Sequence, residues 1–149
     1  MTAFVTAGGG FLLAVLWFDL MFDVQVLGRD ERELPEARLA SIAAYYARVT
    51  TAARPMNRLI AGVMLATIAA LVAELADGGA PSAVASVSLA LALAPILLVG
   101  ARTVPSAVRL GKRTDTRERQ SELARSICRE HLFCFASIAA LIALQLSCS

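Results

Sequence analysis

Lysine and arginine are missing from most of this 149-residue chain: residues 1–28, 59–101 and 130–149 contain neither. All fourteen basic residues fall in two stretches, 29–58 and 102–129. Apolar runs separated by basic segments are the pattern of a membrane chain that keeps its cations on the cytoplasmic side. Aromatic residues make up only 6% of the chain, and none forms a stacking motif among the cations. With the basic residues following the membrane boundary instead, nucleic acid is excluded as a partner. The three cysteines, Cys128, Cys134 and Cys148, are odd in number and lack C-x-x-C spacing, which argues against a disulfide framework and leaves them as small apolar filler. P-loop, G-x-S-x-G, H-E-x-x-H and Rossmann fingerprints are absent, which counts against the commoner enzyme classes and autonomous nucleotide use. A basic n-region is missing before the first apolar run, so that run reads as a retained span, not a cleaved signal peptide.

Hydrophobic side chains are what the sequence has in excess. They make up 58% of the residues, and the mean hydropathy is +0.67, too high for a soluble domain of this size. The net charge of +2 hides the sorting of charge along the chain. A membrane span needs ~20 mostly apolar residues, and four stretches qualify, about 4–27, 57–76, 83–102 and 131–148. The expected fold is an all-α integral membrane protein, a four-helix up-down bundle forming one domain. Residues 28–56 and 103–130 are its cytoplasmic segments, and both termini are expected outside the inner or plasma membrane. Its surroundings are the lipid bilayer, with anionic headgroups attracting the basic segments, and a homo-oligomer or membrane protein partner is expected because four short helices enclose little volume.

The cytoplasmic segments carry helical signals. Pro35 suits a first helical position, and Leu39, Ile42, Ala43, Tyr46 and Val49 recur at helical spacing. An amphipathic helix over about 35–53 is expected, lying on the membrane or extending span two, with Pro55 ending it. Asp115 with Glu118 has the logic of a capping box, and no Gly or Pro interrupts residues 116–147. That fourth helix would be on the order of 48 Å long against a hydrocarbon core of ~30 Å, so about a third of it should project into the cytoplasm. Small residues at Ala3, Ala7, Gly8 to Gly10, Ser86, Ala90, Ala94, Ala136, Ala139, Ala140 and Ala143 offer close helix packing. Pro95 predicts a kink in span three.

The candidate site is built on acids inside a span. Asp19 and Asp23 are four apart in Trp17-Phe18-Asp19-Leu20-Met21-Phe22-Asp23 and therefore share one helix face. An ionised carboxylate in hydrocarbon costs a few kcal/mol unless paired or hydrated, so intramembrane acids are functional candidates. Arg58, Arg102, Arg129 and His131, flanked by Asn57 and Glu130, fall at the same level on the other spans and complete an expected polar ring. Glu74 and Asp77 are read as solvated, Trp17, Tyr45 and Tyr46 as interface or packing aromatics, and His131 as facing the bundle. No catalytic residue, cofactor or metal is assigned. The function read from this is a proton- or cation-linked carrier or channel-like protein acting through Asp19 and Asp23. The alternatives are an accessory scaffold subunit with structural ion pairs, or an enzyme using the two acids and a metal on a lipid phosphate.

Overall fold

The computed structural model describes residues 2–28, 32–78 and 81–148. All of its regular elements are helices. Helix α1 spans Thr2–Asp23 and is extended by a 3₁₀ turn, Val24–Val26. Helix α2 follows at Glu36–Thr51, α3 at Arg54–Ala76 and α4 at Ser82–Leu98. A π turn, Val99–Thr103, joins α4 to α5 at Val104–Lys112, and α6 runs Arg117–Ser147. Four helical stretches are long and apolar enough to cross a membrane: Thr2–Val26, Arg54–Ala76, Ser82–Lys112 and Arg117–Ser147. Arg29, which opens the first basic stretch, and Gly79 and Ala80 of the expected 77–82 turn lie outside the described residues.

The prolines set the breaks. Pro35 stands just before α2, at the N-cap, not at the first helical position expected of it. Pro55 lies in the first turn of α3, where a missing N–H costs nothing. Pro95 sits inside α4, and Pro105 opens α5. Between them the helix winds wider, into the π turn, one of the few ways a helix absorbs a disrupted hydrogen-bond ladder. The chain therefore stays helical well beyond residue 102, where span three was expected to end, and stops only at Arg113, whose φ of 54° turns the backbone left-handed. Helix α6 is capped by Thr116, which accepts from the Arg119 N–H. Asp115, the expected cap, is drawn instead to Arg109 at 2.7 Å.

Two cores result. In the first, Val5 and Leu12 of α1, Ala70 and Leu71 of α3, Ala92 of α4, and Ile138 and Leu141 of α6 pack the long helices together. Asp23 reaches His131 and Gly9 faces Ile142, so α1 and α6 run antiparallel. Many large apolar side chains of these helices also point outward, Phe4, Trp17, Phe18, Leu65, Leu97 and Leu146 among them. The second core joins Leu39, Ile42, Ala43 and Tyr46 of α2 to Ala107 and Leu110 of α5 and to Ala124, Ile127 and Cys128 of α6. The apolar stripe read for α2 is thus its buried face, and it packs on protein.

The small residues on α4 are a correction. Ser86, Ala90 and Ala94 are exposed, and the buried stripe is Ala85, Ser88, Ala92 and Pro95. On α6, Ala136, Ala140 and Ala143 likewise face outward, while Ser137, Ile138, Leu141 and Gln145 turn in. Hydrogen bonding fixes this rotation: Gln145 must find a partner inside, and Ser88 supplies it.

Candidate functional site

Asp19 and Asp23 sit one helical turn apart near the end of α1, and adjacent residues of α2 meet them. Tyr46 donates to Asp23 Oδ1 at 2.7 Å, and Tyr45 donates to Asp19 Oδ1 at 2.6 Å. His131, on α6, brings Nδ1 to 2.6 Å from Asp23 Oδ2. Asp23 is wholly buried, and the His131 side chain is only 7% exposed. The Tyr46 hydroxyl also lies 3.4 Å from His131 Nδ1, so acid, phenol and imidazole close a compact triangle. Tyr45 stacks on Phe22, their rings 4.1 Å apart and nearly parallel, and meets Tyr46 edge-on.

The chemistry of the donors explains the choice of partners. A tyrosine hydroxyl gives a buried carboxylate a hydrogen bond without a second buried charge to desolvate. Burial, together with the neighbouring Asp23 and Asp19 carboxylates, pushes the Tyr46 phenol well above its usual range. Burial and the bond to Asp19 do the same for Tyr45. Both hydroxyls therefore remain protonated donors. The short Asp23–His131 contact holds a proton between a carboxylate oxygen and a ring nitrogen. Such a pair can pass a proton on without moving any heavy atom far.

Of the expected polar ring, the structure brings together Asp19, Asp23 and His131 and leaves the arginines outside it. Arg102, itself exposed, pairs with Glu130 at 3.6 Å. Glu130 also accepts from Thr103 at 2.7 Å and from Ser126 at 2.9 Å. Arg129 joins Arg102 and Glu130 in a separate cleft of about 290 Å³. Arg58 is exposed at the start of α3, and Asn57 donates to the Val49 carbonyl. Long guanidinium side chains reach the surface from this level, which is cheaper than being desolvated beside the acids. Both oxygens of Asp23 are already accepting, and no cluster of three or more His, Cys, Asp or Glu suited to a metal occurs among the described residues.

Tyr45 and Tyr46 are the site residues that the sequence reading placed elsewhere. The signal was present, since Tyr46 falls on the apolar stripe of α2 and a buried tyrosine needs a partner for its hydroxyl. The unpaired acids of α1 needed donors at the same level. Glu74 is a further correction. Expected to be solvated, it is only 7% exposed and accepts from Gln145 of α6, whereas Asp77 is exposed.

Asp19, Tyr45 and His131 form the polar end of a cavity of about 690 Å³ whose walls are apolar, with Leu12, Met64 and Ile138 among them. An apolar chamber with a few convergent polar groups at one end is the usual form of a small-molecule site. Comparison with protein-family models, with curated proteins and with solved structures finds no match, so the functional reading rests on this geometry.

Proposed function

We propose that this chain is a small carrier or channel-like protein of the inner or plasma membrane, moving protons together with a small cargo. The buried Asp23–His131–Tyr46 triangle at the polar end of the apolar cavity carries this reading. Asp19, at the cavity lining, is the group that exchanges its proton with the cargo. Asp23 holds His131 in place and shares a proton with it. The four long helices span the bilayer in up-and-down order as one domain. Helices α2 and α5 and the first turns of α6, which carry basic side chains around their apolar core, lie in the cytoplasm against anionic headgroups, and both termini lie outside. The apolar exterior of the long helices supports insertion, and the confinement of cations to residues 29–58 and 102–129 supports this orientation. A homo-oligomer or a membrane protein partner is proposed because four short helices enclose little volume.

Proton flux into proteoliposomes under an imposed potential tests the reading. Asp19→Asn should lower flux by roughly a hundredfold, the scale of losing a general acid or base, with the melting temperature preserved. A second reading, an accessory subunit in which the acids only hold helices together, is favoured by how completely Asp23 is satisfied by its own chain. It wins if the wild type carries no flux and Asp19→Asn costs only stability.

A further inference from the structure

A second buried acid lies at the far end of the bundle. Glu74 of α3 is 7% exposed, and it shares Gln145 of α6 with Ser88 of α4. Gln145 Nε2 lies 3.4 Å from Glu74 Oε2 and 3.1 Å from Ser88 Oγ. Gln145 is fourteen residues beyond His131 on one unbroken helix, which at ~1.5 Å per residue is about 21 Å along the bundle axis. The two acid sites are thus separated by about two-thirds of a hydrocarbon core of ~30 Å.

Glu74 differs from Asp23 in having no basic side chain beside it. Residues 1–28, 59–101 and 130–149 contain no Lys or Arg, and the single histidine is at the other end, so the helices around Glu74 carry no basic side chain there. Gln145, which meets it, and Ser88, which also accepts from Gln145, do not titrate, and Asp77 one turn on along α3 is exposed. A permanent charge on a carboxyl buried away from any basic side chain is costly, which makes such an acid a functional candidate.

Between Glu74 and the cavity lies a second, independent sign. Ile60, Met64, Thr67, Leu71 and Glu74 follow one stripe of α3, and Ile60 and Met64 line the cavity. The next residue along that stripe, Thr67, is 2% exposed, and its hydroxyl has no hydrogen-bond partner. It is directed at the backbone of Gly8, where a Cβ would collide with it. Beyond it Leu71, with Val5 and Leu141, closes an apolar layer before Glu74. The order along the bundle is therefore acid network, cavity, unpartnered hydroxyl, apolar layer and second acid.

We propose that Glu74, held by Gln145, which also donates to Ser88, is the second proton-exchange site of the path that begins at Asp19 and the Asp23–His131 pair, with the Thr67 hydroxyl as the polar step between the cavity and the Leu71 layer. This rests on the proton-linked reading above. In each step a carboxyl oxygen gains or loses a proton to water, the Thr67 hydroxyl accepts one proton as it gives up its own, and water bridges the roughly 10 Å from Thr67 to Glu74.

Two measurements test it. In proteoliposomes with an imposed potential, Glu74→Gln should reduce proton flux by roughly tenfold or more, Glu74→Asp should restore a substantial part, and both should keep the wild-type melting temperature within a few degrees. Wild-type flux in Glu74→Gln overturns the proposal while leaving the role of Asp19 intact. So does a loss in Glu74→Gln that Glu74→Asp does not relieve. If the wild type carries no flux, the proton-linked function fails, and infrared difference spectra of the reconstituted protein decide Glu74 separately. A protonated-carboxyl stretch that responds to pH and vanishes in Glu74→Gln but persists in Asp19→Asn supports proton exchange at Glu74. The absence of such a band makes Glu74, Ser88 and Gln145 a structural clasp between helices and overturns the proposal.

Discussion

At the scale of single residues, the behaviour of Asp23 is governed by the neutral hydroxyl of Tyr46. Tyr46→Phe removes the donor at 2.7 Å and leaves one buried carboxylate oxygen unsatisfied, which should destabilise the protein by about 1–3 kcal/mol. The same residue sets an alkaline limit. Because the folded Tyr46 phenol is held above its ordinary value of 10.0, folding favours the protonated form. That contribution is fully present below pH 10.0 and is lost as pH rises above it. Thermal melts in detergent should therefore begin to fall as pH rises past about 10, and fall less in Tyr46→Phe. Tyr45→Phe should cost less than Tyr46→Phe, since Tyr45 is only half-buried and its partner Asp19 borders the cavity. An equal or larger loss in Tyr45→Phe would reverse the assignment of Asp23 as the structural anchor. The acids of this site were legible in the sequence because intramembrane carboxylates are rare. Their tyrosine partners were not, because an aromatic at a helix surface reads equally well as an interface residue until the opposing helix is placed.

At the scale of elements, α2 and α5 cross where Gly111 touches the Ala47 backbone. A Cβ at Gly111 would lie 2.8 Å from the Ala47 nitrogen and 2.9 Å from its Cα, and backbone cannot yield as a side chain can. Gly111→Ala should destabilise by about 1–3 kcal/mol, whereas Gly10→Ala, with nothing within 4 Å of its Cβ, should be nearly neutral. Chemical denaturation in mild detergent reads both, and equal effects would mean that the crossing is looser than its geometry. At the start of α6, Thr116→Ala should cost about 1 kcal/mol for the lost cap. Asp115→Ala should cost less, because its partner Arg109 is half-exposed. Sequence pattern located α2 almost to the residue, since Leu39, Ile42, Ala43 and Tyr46 are all buried. It oriented α6 through His131, which is buried as read, but could not orient α4, where apolar residues surround the whole helix and periodicity carries no signal. There the pairing of Ser88 with Gln145 chose the buried face.

For the whole molecule, the proposed arrangement places Cys148 outside and keeps Cys128 and Cys134 buried within the helices. A membrane-impermeant maleimide added to spheroplasts should label Cys148 alone, with the other two reacting only after denaturation. Protection of Cys148 until the membrane is broken would reverse the orientation. The sequence by itself determined the number of long apolar helices, their separation by basic segments and the position of two acids within the first of them, because hydropathy and charge are local properties of the chain. Only the tertiary structure decided which donors those acids receive, that the arginines stay outside, that Glu74 is buried and that a cavity opens between the two acid sites. Those outcomes depend on the rotation and crossing of helices. In apolar helices, rotation and crossing are set by a few hydrogen bonds and close contacts between residues far apart along the chain.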